Sequence, residues 1–304
     1  MTKKIKDVAA SIHARLLNYA KHEKLNFNRV LLYYFQERFL YRLSISSHKD
    51  QLILKGGALL LTLDIEKGRP TKDIDFLSQV PSLTNERATS IIQEISKISA
   101  NDGVVFDSSS AVASPIGEGA DFNALRIRMT AKMGKAIGRI QIDIGLDDVP
   151  FPKPVEFQYP TLLNQEPLIL KAYSWETVIA EKFEAMVKLN FLTSRMKDFS
   201  DIIFLMKNQS IDGSTLQQAI ANTFKKRGIV PSSKTVIFSK EFQSDHDKQI
   251  QWTAFLRKTG VIDMPPQFAE AVLLINLFLM PVIETIEQNG KFNKKWMSHD
   301  RKWK

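Results

Sequence analysis

The sequence of 304 residues predicts an α+β fold: a small mixed sheet with flanking helices, followed by a mainly helical C-terminal half. Three observations predict it. Apolar residues recur with the 3.6-residue helical period over residues 1–50, and short apolar runs bounded by Gly and Asp begin at Leu52. The helical period returns from about Tyr173. We place a domain boundary near residue 165, which separates residues 1–165 from residues 166–304.

The first half begins with two predicted helices within residues 1–50 and continues with a strand over Leu52–Leu54. The pair Gly56-Gly57 then turns the chain into a short helix. A strand follows over Ile74–Leu77. The remaining predicted elements of this half are a helix over residues 84–99, capped by Thr84, and strands over residues 124–129 and 137–144.

Five prolines crowd residues 150–167, which is typical of a linker or an extended crossing between two domains. Predicted helices follow, over residues 175–189, 198–207 and several segments of 214–290. The basic tail contains Trp296 and Trp303. These rings have the chemistry to stack on nucleic acid bases, but chain ends are usually mobile, so we expect a frayed tail.

Composition narrows the class of protein. The chain has no cysteine, which excludes disulfides, thiolate metal sites and a cysteine nucleophile and fits the reducing cytoplasm. It has no run of 18 apolar residues and no signal peptide, so we expect a cytoplasmic protein without a membrane partner. The net charge of +9 favours contact with polyanions such as nucleic acid.

The sequence Asp73-Ile74-Asp75-Phe76 carries the clearest chemical signal. Residues i and i+2 of a strand project from one face, so Asp73 and Asp75 converge while the two apolar residues enter the core. Two carboxylates that close stay ionised together only with a cation between them. Oxygen ligands favour a hard ion such as Mg²⁺, with Mn²⁺ as the alternative.

A third carboxylate comes from Asp143, which alternates with apolar residues in a later predicted strand. Three carboxylates on neighbouring strands can hold two metal ions about 3.5–4 Å apart, which activate an attacking hydroxyl and neutralise a pyrophosphate leaving group. The pair Gly56-Gly57 lacks Cβ atoms, so its N–H groups can approach a triphosphate closely. Nearby bases, Lys55 and Arg69 among them, also suit a phosphate-rich ligand. Either motif alone is common at turns and strand ends; their order along the chain favours a functional site.

The segments Leu54–Leu60, Arg69–Phe76 and Ile140–Gly145 together resemble the AbiEii/AbiGii toxin family of the polymerase-beta-like nucleotidyltransferase superfamily. The resemblance continues through Ala180–Val187 and Ser194–Ile202 and covers about half of the chain. It implies a nucleotidyltransferase fold in which residues 1–165 form the catalytic domain and residues 166–304 complete its cleft.

The resemblance also implies residue roles. The turn at Gly56-Gly57 binds phosphate, Asp73 and Asp75 bind metal, and Asp143 is the third carboxylate. Gly57 stands where the wider superfamily often has serine, so backbone contacts replace a hydroxyl. Lys182 corresponds to a lysine that binds the nucleoside triphosphate, and Asp198 to an acidic residue needed for activity. From periodicity alone, Lys182 is equally a solvated lysine, and Asp198 and Asp201 equally belong to an ion-pair network at a helix start.

The implied function is that of the toxin of a toxin–antitoxin pair, with a role in phage defence. It would transfer a nucleoside monophosphate from an NTP to RNA, the 3′ end of tRNA in relatives, and have a cognate antitoxin. Two alternatives stay open. One is a metal-dependent glycosyltransferase, which also uses Asp-x-Asp but normally has a doubly wound nucleotide-binding region before it. The other is a non-catalytic RNA-binding module on the same fold.

Overall fold

The computed structural model describes residues 7–116, 124–146 and 150–304. Its residues fall into two units, each with a core of its own. The first unit comprises Met1–Thr62, Pro70–Asp148 and Val155–Ala172, and the second comprises Leu63–Arg69, Val149–Pro154 and Tyr173–Lys304. The domain boundary at residue 165 stays a prediction.

The first unit begins with the two predicted helices, α1 (Val8–His22) and α2 (Phe27–Ser44). The side chains of Asp7 and Asn26 cap them by accepting backbone N–H groups of the first turns. Most of α2 is buried, including Tyr34 at its centre. The helical prediction for this region is therefore confirmed, and α2 forms a wall of the first core.

A seven-stranded mixed sheet lies at the centre of the first unit, in the order β3-β4-β5-β2-β1-β7-β6. Its strands are β1 (Leu52–Lys55), β2 (Asp73–Ser78), β3 (Val105–Ile116), β4 (Ala124–Met133), β5 (Ala136–Gly145), β6 (Val155–Tyr159) and β7 (Leu168–Ala172). Two neighbouring pairs, β2 with β5 and β1 with β7, are parallel, and the other pairs are antiparallel. The predicted α+β class with a small mixed sheet is confirmed.

Two helices of the first unit follow strand β1 and strand β2. Helix α3 (Gly56–Leu60) continues directly from β1, at the glycine pair. Helix α4 (Asn85–Ser96) starts after Thr84, whose side chain accepts the N–H of Arg87, as predicted. Together with α2, helix α4 packs on the antiparallel strands, so one face of that part of the sheet is covered.

Strands β3, β6 and β7 escaped the sequence analysis. The proline-rich stretch was expected to be a linker, yet it contains the β6–β7 hairpin at one edge of the sheet. The reason is that β6 is mostly exposed and so lacks the apolar alternation that marks a half-buried strand. Strand β3, at the other edge, is rich in serine, and its register shifts between Asp107 and Val112.

The second unit is mainly helical, as predicted. Its helices are α5 (Trp175–Leu189), α6 (Met196–Asn208), α7 (Gly213–Lys226), α8 (Lys240–Gln243), α9 (His246–Thr259) and α10 (Phe268–Glu287). Helix α5 packs on α6 and α7, and α10 packs on α6, α7 and α9. Aromatic rings fill this core, where Phe199, Phe242 and Phe268 contact one another and Trp252 contacts Phe268.

The predicted frayed tail is wrong. Residues near the C-terminus form strands β9 (Lys295–Met297) and β10 (Lys302–Trp303), and β9 pairs with β10 on one side and with β8 (Ile211–Asp212) on the other. Trp296 is fully buried and donates its indole N–H to the carbonyl of Met206 at 2.8 Å. A fully buried ring is inaccessible to a nucleic acid base, so Trp296 cannot stack on one. Its burial stabilises the core instead.

Helix α10 is, within the described ranges, the single helix long and apolar enough to cross a membrane by length and composition alone. Of its most apolar 18-residue window, 39% is buried inside the structure. Core helices of globular proteins pass the same test, so the helix is weak support for a membrane location. The absence of a membrane partner stays a prediction.

Candidate active site

Three carboxylates of the first unit meet at one point of the sheet. Strand β2 runs parallel to β5 in a register that sets Asp75 opposite Asp143 and Asp73 opposite Gln141. One carboxylate oxygen from each of Asp73, Asp75 and Asp143 lies within 4.8 Å of the others. The structure therefore brings together the three aspartates that the sequence analysis singled out.

The glycine pair lies directly against this group. Gly56 has φ +68°, and a Cβ added there would stand 2.0 Å from Oδ2 of Asp75. The backbone N–H of Gly57 donates to the same oxygen at 3.3 Å. Gly56 is therefore required twice, because its backbone angle disfavours other residues and because the carboxylate occupies the space of a side chain.

The surroundings of Asp75 disfavour its ionised form. Burial, followed by the charges of Asp73 and Asp143, raises its pKa to about 6. Lys55, which faces Asp75 across the β1–β2 pair, and the N–H of Gly57 act in the opposite direction but do not compensate fully. Negative charge concentrated in this way is what a bound divalent cation neutralises.

The other two carboxylates have partners. Arg126 of β4 binds Asp143 through two parallel hydrogen bonds, from Nε at 2.9 Å and from Nη2 at 2.6 Å. The hydrogen bonding of Arg126 to the Asp143 carboxylate, and then the charge of that carboxylate, raise the pKa of Arg126 despite some loss of hydration. Thr71 donates its hydroxyl to Asp73 at 2.7 Å. A cation at the three aspartates would share Asp143 with Arg126.

The residues fit a hard divalent cation. The donors are carboxylate oxygens, the ligands that Mg²⁺ and Mn²⁺ prefer. No histidine joins them within the ranges that the structure describes, so the donor set offers nothing selective for a softer ion. The geometry favours a metal site, and the choice of ion stays a prediction.

A second charged group, here called the lysine cluster, lies in the second unit and consists of Arg69, Lys182, Arg195, Asp198 and Asp201. Lys182 of α5 donates to Asp198 at 3.2 Å and to Asp201 at 2.6 Å, both on α6. Arg69 donates to both oxygens of Asp201, at 2.8 and 3.0 Å. Arg195 donates to Asp198 at 2.5 Å.

The lysine cluster is largely withdrawn from solvent. The side chains of Asp198 and Asp201 are 0% and 3% exposed, and that of Lys182 is 11% exposed. Burial lowers the pKa of Lys182, but the charges of Asp201 and Asp198 outweigh it and the net shift is upward. Burial likewise raises the pKa of Asp198, and the charges of Lys182 and Arg195 reverse this. The alternative of a solvated Lys182 is therefore wrong.

The sequence analysis missed the central member of the lysine cluster. Asp201 binds both Arg69 and Lys182, whereas the sequence suggested only a local ion pair for it. The spacing of Asp198 and Asp201 on a helix was the available signal, since residues i and i+3 share a face. Their partner Arg69 is distant in the chain, so its position could not be read from that spacing.

Similarity over most of the chain also indicates a nucleotidyltransferase. The model of a protein family described as the nucleotidyl transferase AbiEii toxin of type IV toxin–antitoxin systems matches residues 38–273. The chain belongs to the AbiEii toxin family. An AbiEii-family chain is a nucleotidyltransferase and the toxin of a toxin–antitoxin system, so the resemblance is confirmed and the glycosyltransferase alternative is ruled out.

A solved structure of a nucleotidyltransferase toxin shares this fold. MenT4, a nucleotidyltransferase toxin of Mycobacterium tuberculosis H37Rv, is 15% identical, with a TM-score of 0.52 over 91% of this chain and 99% of that chain. JHP933 of Helicobacter pylori is 14% identical, with a TM-score of 0.47 over 90% of this chain and 94% of that chain. At such identities the likeness concerns the fold. A search of curated protein sequences found no match.

Proposed function

We propose that this toxin transfers a nucleoside monophosphate from an NTP to an RNA acceptor, the 3′ end of a tRNA, with Mg²⁺ as its ion and Mn²⁺ as a substitute. The observation that carries the proposal is the meeting of Asp73, Asp75 and Asp143 beside the glycine turn. A metal ion at these oxygens would supply charge neutralisation for the attacking hydroxyl and the leaving pyrophosphate.

The reaction is an in-line displacement at the α-phosphate. The acceptor hydroxyl loses its proton, its oxygen forms a new bond to the α-phosphorus, and the bond from that phosphorus to the bridging oxygen of the β-phosphate breaks. Pyrophosphate leaves, and the acceptor gains one phosphodiester-linked nucleotide. Little covalent chemistry falls to the protein, so positioning and charge supply most of the rate.

Within the first unit we assign metal binding to Asp73, Asp75 and Asp143, and phosphate binding to Lys55 and the turn at Gly56-Gly57. Arg126 donates to both oxygens of Asp143 and therefore shares that carboxylate with the metal. The N–H of Gly57 is close enough to Asp75 to hold that carboxylate as well.

Within the second unit we assign NTP binding to Lys182 and Arg69, and a catalytic requirement to Asp198. The lysine cluster holds the cationic groups of Lys182, Arg69 and Arg195 close together on the carboxylates of Asp198 and Asp201. Asp198 acts by holding Lys182 and Arg195 in place. A lysine fixed and kept charged by two buried carboxylates suits a phosphate ligand.

The test uses purified protein, total RNA, Mg²⁺ and each of the four NTPs labelled at the α-phosphate. We expect label on RNA of tRNA size, at the 3′ end, with loss of transfer in chelator. Asp75→Asn should abolish transfer, because it removes a metal ligand with little change of shape. Asp50→Asn is the matched control, since Asp50 is an exposed carboxylate paired with Lys171 on the same sheet and should be as active as wild type.

Transfer by Asp75→Asn at the wild-type rate would refute the assignment of the site. Label on protein or sugar in place of RNA would refute the acceptor. Expression in a host should arrest growth with wild type and with Asp50→Asn but not with Asp75→Asn, and a cognate antitoxin should relieve the arrest. We place the activity in the cytoplasm, where both substrates of the proposed reaction are found.

A further inference from the structure

One face of strands β3, β4 and β5 is left exposed beside the carboxylates. Along β4 the apolar residues alternate with polar ones, and the apolar row is buried against the helices. The opposite row of β4 contains Arg126, Arg128, Thr130 and Lys132, of which Arg128 and Lys132 are exposed. This face is therefore set by strand alternation and has no part in the core.

Strand β5 adds to the same face. Its register with β4 sets Arg139 opposite Thr130, Gln141 opposite Arg128 and Ile137 opposite Lys132. Arg139 is exposed like the two cations of β4. Paired residues of antiparallel strands lie on the same side of a sheet, so Arg128, Lys132 and Arg139 share one side. We call these three residues the basic face.

The cations of the basic face are poorly neutralised. Among the residues that the structure describes, neither Arg128 nor Arg139 forms a side-chain hydrogen bond or ion pair. Lys132 interacts electrostatically with Asp107 of β3. Arg126, by contrast, is fully engaged by Asp143. Two exposed arginines without partners among the described residues favour an anionic ligand from outside the chain.

The basic face leads to the three carboxylates. Arg139, Gln141 and Asp143 alternate along β5, so they project from one side, and Asp75 of β2 lies opposite Asp143. At about 3.3 Å per residue, Arg139 stands about 13 Å along the strand from Asp143. A chain of phosphates laid on the face therefore runs directly into the site of nucleotide addition.

Apolar side chains separate the cations. Val112 of β3 is 66% exposed and faces Arg128, and Ile137 is 68% exposed and faces Lys132. Spaced positive charges with apolar surface between them match a nucleic acid strand, which presents phosphates alternating with sugars and bases. An acidic peptide would match the charge of the basic face, but the proposed reaction needs the terminal hydroxyl of a polynucleotide at the three aspartates.

We propose that the basic face binds the backbone of the RNA acceptor next to its reacting 3′ end. This inference rests on the proposed function. It names the surface that selects a polynucleotide acceptor and directs its terminal hydroxyl to Asp73, Asp75 and Asp143.

The test compares two double variants of the full chain, Arg128→Ala/Arg139→Ala and Lys21→Ala/Lys97→Ala. Both remove two positive charges, but Lys21 is exposed on helix α1 and Lys97 is exposed directly after helix α4, so neither belongs to the strands of the basic face. Affinity for a short single-stranded RNA is measured by fluorescence anisotropy over a range of salt concentrations. Affinity for NTP is measured separately by calorimetry with Mg²⁺, and unchanged thermal stability confirms that both variants fold.

Each phosphate contact to a single strand contributes about 0.7 to the slope of log affinity against log salt, so the arginine variant should lose about 1.4 of that slope. If the two lines meet near 1 M salt, its affinity at about 0.1 M falls about 25-fold. The lysine control should match wild type, and NTP affinity should be unchanged in both variants. Arg128→Lys/Arg139→Lys should recover most of the affinity.

Equal RNA affinity in the arginine variant and the control, with transfer to RNA intact in wild type, would overturn the basic face and leave the proposed function standing. Wild type that neither binds RNA nor transfers nucleotides to it would overturn both. Polyglutamate is included as a competitor: displacement of RNA at equal charge concentration would show a general anion surface and overturn the assignment to RNA.

Discussion

Replacing Asp75 by Asn should stabilise the first unit when no metal is present. The pKa of Asp75 lies at about 6, against an ordinary value of 3.8. A shift of about 2 units corresponds to about 3 kcal/mol of unfavourable free energy when the carboxylate is ionised in the folded chain. Asn keeps the size of the side chain and removes the charge, so it should recover most of that amount at neutral pH.

The sign of the pH dependence follows from the raised pKa. The folded chain holds the proton of Asp75 more tightly than the unfolded chain, so this group destabilises the fold above pH about 6 and has no effect well below 3.8. In chelator, the free energy of unfolding of wild type should therefore decrease as pH rises from about 4 to about 7. The difference between wild type and Asp75→Asn should become small at the acid end of that range and vanish well below pH 3.8.

Magnesium should act on wild type alone. A ligand that binds only the folded chain stabilises it by RT ln(1 + [L]/Kd), which is about 2.7 kcal/mol at a concentration of about 100 times Kd. Wild type should gain this stability near pH 7.5, where Asp75 is ionised, and less near pH 5. Asp75→Asn should gain little at either pH, because it has lost one carboxylate ligand.

The assay must report on the first unit. All four tryptophans, Trp175, Trp252, Trp296 and Trp303, belong to the second unit, so their fluorescence follows the wrong part of the chain. Hydrogen exchange of peptides that cover β2 and β5 measures local stability at the site. If Asp75→Asn exchanges faster than wild type in chelator near pH 7.5, or if Mg²⁺ protects both equally, the electrostatic account of the site is refuted.

Three further predictions concern other residues. Gly56→Ala should abolish transfer and destabilise the chain by well over the about 1–2 kcal/mol that a left-handed backbone costs, because its methyl meets a carboxylate oxygen at 2.0 Å. Gly228 has the same φ of +68° in open space, so Gly228→Ala should show only the cost of the left-handed backbone. Equal unfolding midpoints of the two variants would contradict this prediction. Arg126→Gln should lower the Mg²⁺ concentration for half-maximal transfer, since it frees Asp143 for the metal; an unchanged magnesium titration would show that Asp143 is not a ligand. Lys182→Met should cost about 3–5 kcal/mol in chemical denaturation followed by tryptophan fluorescence, because it leaves buried carboxylates short of a partner; a loss below about 1 kcal/mol would mean that the arginines compensate.

The motif Asp73-Ile74-Asp75 and its outcome show how far local rules reach. Strand alternation places both carboxylates on one side and Ile74 in the core, whatever the rest of the chain does. Strand alternation likewise predicts that Asp143 lies on the polar side of its strand. The parallel register that sets Asp75 opposite Asp143 is a different matter, because a shift by one residue would send Asp143 to the opposite face.

The lysine cluster shows the same division. Helical periodicity separates Lys182 from the apolar face of α5, but it cannot distinguish a solvated lysine from a buried one. What decides is the carboxylate pair of α6 and the distant Arg69, which meet only when α5 and α6 pack. Charge burial depends on the sum of partners in three dimensions, so it has no local signature.

The sequence alone determined the secondary-structure periods, the class of fold, the motif residues and, through its family resemblance, the type of reaction. Only the tertiary structure decided the register of β2 against β5, the edge strands of the sheet, the burial of Trp296 and the partners of Lys182 and Arg126. The physical reason is the distance along the chain over which each interaction acts. Strand alternation and helix capping act between near neighbours in the sequence. Strand register and ion pairing depend on the free energy of a whole core and join residues as far apart as Arg69 and Asp201, which are 132 positions apart.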